Sequence, residues 1–141
     1  MSAASNYLES KVLNHVLTAT GYTQPTTRYV ALFTNTSGNA MTNLQAGTLT
    51  DEVTTSGSAY GRQTVTFASA TTSNGTTSSA TNATVTFPTA TASWGLITHV
   101  AVMDAATAGN VLFFGAVTTS KQIDSGDTFQ ISNGNLTVAL A

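Results

Sequence analysis

The sequence contains no cysteine, so neither disulfides nor thiolate metal sites hold the fold together, and the redox compartment is left open. Charge is almost as scarce: four Lys or Arg face six Asp or Glu, a formal net charge of -2 over 141 residues. A chain this close to neutral carries no electrostatic footprint for nucleic acid or an anionic membrane surface, and neither partner is expected. No apolar run reaches the roughly 18 residues that a membrane-spanning helix needs. The first residues, Met1 to Asn6, lack the basic stretch and apolar core of a secretory signal. The two prolines, Pro25 and Pro88, both read as breaks between segments.

Polarity is supplied by Thr, Ser and Asn instead. Hydroxyl and amide side chains pack against a neighbour without the desolvation cost of buried charge, which suits a permanent assembly. Threonine is equally a good strand former, and composition alone does not separate these two explanations. Four Asn-x-Ser/Thr sequons, at Asn35, Asn74, Asn82 and Asn135, are expected by chance in so threonine-rich a chain.

The most apolar stretch runs from Trp94 to Val117. Its first arm offers Leu96, Val100 and Val102 to one face and Ile97, Ala101 and Met103 to the other; its second arm, from Val111 to Val117, is β-branched and aromatic. Runs of this kind bounded by Gly, Asn and Asp predict a buried, central antiparallel hairpin. Residues 28–34 form a further inner strand, and the repeated Thr-Val-Thr-Phe at 64–67 and 84–87 marks two half-buried ones. Asn133-Gly134 separates Thr128-Phe129-Gln130-Ile131 from the final run 136–140 and reads as a hairpin turn.

One helix is expected, over residues 6–17, with Asn6 as cap, Glu9 completing a capping box, and Leu8, Val12 and Val16, widened by Leu13 and Leu17, forming a stripe that packs on something. Residues 35–58 read as a long excursion anchored by Met41, Leu44 and Leu49, and 68–82 as an exposed loop or extended hairpin tip. Together these predict a mainly β protein: an antiparallel, jelly-roll-like two-sheet sandwich of about eight strands with one N-terminal α-helix, in a single domain over residues 1–141.

Chemistry is harder to find. The carboxylates Glu9, Asp51, Glu52, Asp104, Asp124 and Asp127 show no pairing that argues for acid–base work, and no Gly-x-Ser-x-Gly elbow marks a nucleophile. His15 reads as a surface or edge residue and His99 as a hydrogen-bonded core histidine. Gly57 to Gly61 lacks the lysine of a phosphate loop. Asp124 and Asp127 flank a glycine turn, better explained as an Asx-type turn than as a calcium site. Tyr22, Tyr29, Tyr60 and Trp94 are the residues a sugar platform would use, although Trp94 reads better as a core-edge plug. No catalytic residue, metal ligand or cofactor is assigned, and the chain is not expected to be an enzyme.

Ser5-Asn6-Tyr7-Leu8-Glu9 with its helix, Tyr29 to Thr34, Tyr60 to Phe67, Trp94-Gly95 and Ser125 to Phe129 resemble a family of small tailed-bacteriophage virion proteins commonly labelled tail fibre proteins. The resemblance implies a structural component of the virus particle. It supplies no site residues. Because the chain has neither heptads nor repeats from which to build a stalk, a capsid cement or decoration protein is expected, a trimer bound to the major capsid protein on the head shell. The alternative is a tail fibre or receptor-binding adhesin contacting other virion subunits. Candidate clamping surfaces are the arm Met1 to Asn6 and the segments 35–58 and 68–82.

Overall fold

A computed structural model describes residues 3–140 of the protein. Among the described residues the chain order is β1 (Ala3–Ala4), α1 (Asn6–Leu17), β2 (Arg28–Phe33), α2 (Ala40–Ala46), β3 (Gln63–Val65), β4 (Thr71–Ser73), β5 (Thr76–Ala80), β6 (Val85–Thr86), β7 (Gly95–Met103), β8 (Val111–Ile123), β9 (Gln130–Ile131) and β10 (Thr137–Leu140). The protein is mainly β and sandwich-like, with the expected N-terminal helix.

The hairpin expected from the apolar run is the centre of the fold. β7 pairs antiparallel with β8 and, on its other side, with β2, inside a five-stranded sheet ordered β1-β8-β7-β2-β3. Its turn depends on Gly109, which has φ +72°; a Cβ there would lie 2.5 Å from Asp104 Oδ1 and 2.7 Å from the Ala105 Cβ. Asp104 closes the same turn by accepting from the Asn110 backbone N–H at 2.7 Å.

Both faces of this sheet are covered. On one, Val30, Leu32, Val100 and Val102 pack with Val85, Phe87 and Phe129 from the segments that carry the small sheets. On the other, Ala31, Phe33, Met103 and Phe114 pack against Leu44 of α2. The parity expected for β7 holds only from Val100 onward. A register irregularity between Ile97 and His99 shifts the strand, so Ile97 joins the face of Val100 and Val102 while Leu96 is left exposed.

Three further expectations change. The excursion 35–58 contains α2, whose heptapeptide Ala-Met-Thr-Asn-Leu-Gln-Ala offers too few apolar anchors to show a helical period. The cap of α1 is Ser5 rather than Asn6: its Oγ accepts from the Leu8 N–H at 3.2 Å, which leaves Glu9 one residue out of capping-box register. Asn133-Gly134 does make a turn, with the Asn135 N–H donating to the Ser132 carbonyl, but the strands flanking it do not pair with each other. β9 joins β6 and β10 joins β5, because the Gly134 N–H is taken by the Thr81 carbonyl and the chain is drawn from one small sheet to the other.

Candidate attachment surface

α1 begins as part of the core and ends outside it. Buried Ser5 ties its first turn to β8: the Ser5 N–H donates to the Leu112 carbonyl at 2.9 Å, and its hydroxyl donates to the carbonyl of Val111. Leu8 is the buried residue of the helix. Beyond it the exposure climbs, from 41% at Val12 and 58% at Leu13 to 70% at Val16 and 74% at Leu17. Among the described residues, the stripe expected to pack on something is fully buried only at its first turn, and Leu13, Val16 and Leu17 stand mostly in solvent. The helix end is nonetheless held, by Thr18 donating to the Asn14 carbonyl through both its N–H and its hydroxyl, and by the Tyr22 N–H donating to His15 Nδ1 at 3.1 Å. His15 is thus a surface residue with a structural hydrogen bond.

The remaining clamping candidates are used mostly within the molecule. Ala3 and Ala4 pair with Phe114 and Phe113 as β1, while Met1 and Ser2 lie outside the described residues. The 35–58 segment folds around buried Asp51, whose Oδ1 accepts from the Ser37 N–H at 3.0 Å and the Thr36 hydroxyl at 3.1 Å. Hydrogen bonding from Ser37, above all its hydroxyl, holds this carboxyl below the usual carboxylate range. Residues 68–82 form the β4–β5 hairpin through Asn74-Gly75; β4 is exposed, but β5 is paired with β10.

Glu52, next in sequence, is the hub of an ion pair that spacing alone did not reveal. Its two oxygens accept from Arg62 Nε and Nη2, each at 2.7 Å, and Oε1 also accepts from the Tyr60 hydroxyl at 3.0 Å. Arg62 Nη1 donates in turn to the carbonyls of Ala105 and Ala108, both at 2.8 Å, locking the β7–β8 turn. The one available signal was the placement of Glu52 and Arg62 at the ends of a charge-poor segment.

The aromatic residues considered for a sugar platform divide. Trp94 and Tyr60 are buried and meet edge-to-face at 5.5 Å, with Phe87 6.1 Å from Tyr60 and 6.3 Å from Trp94. The Trp94 indole donates to the Ser58 carbonyl at 2.8 Å, so the loop 57–61 serves as a backbone acceptor and Trp94 is the core plug its position beside Gly95 suggested. Tyr22 and Tyr29 are half-buried and pack onto different clusters.

The titratable residues are occupied in the same structural manner. His99 is buried in β7 with its Nδ1 2.7 Å from the Thr98 hydroxyl, and burial lowers its pKa against a weaker opposing pull from Asp51. Asp124 and Asp127 sit in a backbone turn rather than an Asx turn: the Asp127 N–H donates to the Asp124 carbonyl at 3.0 Å and Asp127 Oδ2 accepts back from the Asp124 N–H at 2.9 Å, while Asp124 Oδ1 accepts from Gln122 at 3.0 Å. A groove of about 280 Å³ along β8, lined by Val117, Phe129, Ile131, Leu136 and Val138, has hydroxyls and an amide but no titratable side chain on its walls.

These features define a β scaffold that presents the apolar outer half of α1 to solvent and whose polar chemistry, among the described residues, is spent largely on its own turns. The chain belongs to the family described as Podophage GP4 fiber I protein gp80, which matches residues 3–139. No curated protein matches it.

Proposed function

We propose that the chain is a non-enzymatic structural component of a podophage virion, a fibre protein that attaches as one unit to other virion subunits. Its membership of a family named for a podophage fibre, over almost the whole chain, carries this reading. The exposed apolar side chains Val16 and Leu17 are compatible with it, since an attachment surface of an assembly component would cover them. The nearly neutral, hydroxyl-rich composition fits the same role, since little charge must be desolvated at a permanent contact.

The absence of heptads or repeats is the observation that favours the second reading, head-shell cement or decoration, since this chain builds no stalk of its own. The family match outweighs it: a compact domain can serve as the root or cap of a fibre whose length comes from another protein. Particles lacking the protein separate the two. Loss of adsorption to host cells with heat resistance retained is the expected result for a fibre. Normal adsorption with heads that burst at lower temperature overturns it in favour of cement.

A further inference from the structure

We infer that Asn74 is a self-modification site, where the chain converts an exposed asparagine to aspartate and isoaspartate by attack of its own backbone. Only two asparagines precede glycine, in Asn74-Gly75 and Asn133-Gly134, and both follow serine, so the two sites share the local sequence Ser-Asn-Gly. Glycine matters because it places no side chain beside the attacking amide nitrogen. Both pairs lie in solvent-exposed turns, and what separates them is the state of the glycine N–H. The Gly134 N–H donates to the Thr81 carbonyl at 2.9 Å and to the Thr81 hydroxyl at 3.0 Å, and Thr81 is buried. The Asn133 N–H is held as well, by Thr84 Oγ1 at 3.2 Å. The Gly75 N–H has no hydrogen-bond partner among the described residues.

The chemistry needs only water. The Gly75 amide nitrogen gives its proton to hydroxide and bonds to Asn74 Cγ; the bond from Cγ to the side-chain nitrogen breaks, and that nitrogen leaves as ammonia after taking a proton from water. The product is a five-membered succinimide, and water then adds at one of its two carbonyls. Opening at the side-chain carbonyl gives aspartate. Opening at the main-chain carbonyl gives isoaspartate, whose backbone runs through one extra methylene carbon. Either product adds a negative charge to a chain of formal net charge -2.

Reaching the attack geometry requires the turn to leave its resting shape, in which φ is +50° at Asn74 and +78° at Gly75. That opening is local. β4 is exposed along its length, forms one edge of its small sheet, and is joined to β5 by three residue pairs. Opening the other turn must pull Gly134 off Thr81, which is itself fixed by donating its N–H to the Leu136 carbonyl at 2.9 Å. Because β5 is also paired with β10, a lengthened turn at position 74 loosens β4 and leaves the rest of the fold in place.

The two sites make an internal control. Purified protein aged at mildly alkaline pH, with its unfolding midpoint unchanged, should lose the Asn74 amide at least about tenfold faster than the Asn133 amide, read by mass spectrometry of the peptides that carry each. Isoaspartate should appear at position 74, read by enzymatic methylation of its carboxyl, because direct hydrolysis of the side-chain amide gives aspartate alone. In protein unfolded by urea the two rates should come within about twofold of each other, since the shared Ser-Asn-Gly sequence then sets both. Comparable rates in the folded protein, faster loss at Asn133, aspartate without isoaspartate, or a gap between the sites that survives unfolding overturns the assignment.

Discussion

The β7–β8 hairpin and helix α1 both carry a marked apolar pattern, and the fold treats them in opposite ways. Val100, Val102, Met103 and Val111 are buried between two layers, whereas Val16 and Leu17 stand in solvent. Hydrophobic pattern therefore reports that a surface is made to be covered, not which molecule covers it. In the hairpin the cover is the same chain, through α2 on one face and Phe87 and Phe129 on the other. On α1, nothing among the described residues covers Val16 and Leu17.

The widest separation between the two regions should come from truncating the core face of the sheet. Phe33→Ala removes a fully buried ring that packs with Leu44 and Met103, and a loss of about 3–5 kcal/mol in denaturant unfolding is expected. A wild-type midpoint for this variant would show that the sheet, like α1, is not held by its own burial.

Next in size is the Glu52–Arg62 pair. Arg62→Met should cost about 3 kcal/mol, because it leaves a partly buried carboxylate without its cation and frees the Ala105–Ala108 turn of the hairpin. Hydrogen exchange of amides 104–110 should quicken more than that of α1; equal quickening would mean that the pair does not act through the turn. Ser5→Ala tests the junction between the two regions. Loss of the cap and of the bond to Val111 should cost about 1–2 kcal/mol and fray α1 from its buried end, read as reduced helicity with the sheet intact.

Acid should weaken the sheet. The folded state lowers the pKa of His99 from its ordinary value of 6.5, so the unfolded chain binds the proton more readily. Stability is then full above about pH 6.5 and falls as pH drops through that value towards the folded pKa. Asp51, also lowered, adds a second loss below the ordinary carboxylate range. A His99→Gln variant should lack the first step in a plot of unfolding midpoint against pH; an unchanged step would place its origin elsewhere. The smallest stability effect belongs to α1 itself. Leu17→Ser should shift unfolding by no more than about 0.5 kcal/mol, since the side chain is already in water.

Much of the fold was legible because burial on both faces leaves a continuous apolar run and half-burial leaves alternation. The hairpin, the inner strand β2, the Thr-Val-Thr-Phe strands and the span of α1 all follow from those two signals. What was missed lacked a period. α2 is seven residues long with Leu44 as its large buried side chain, and the cap of α1 was misplaced because Ser5 and Asn6 are both good caps and only the nearness of Val111 selects the first. The Glu52–Arg62 pair left little trace because partners ten residues apart across a loop carry no spacing rule.

The sequence by itself determined the class of structure and the family, since strand periodicity, turn residues and family motifs are local properties of the chain. Only the tertiary structure decided which apolar surfaces are consumed. The flip of Ile97 at the irregularity in β7, the separation of β9 from β10, and the departure of α1 from the sheet after Leu8 depend on where distant segments meet. A hydrophobic side chain loses water by contact with any apolar neighbour, and its own sequence cannot specify whether that neighbour lies in the same molecule or the next.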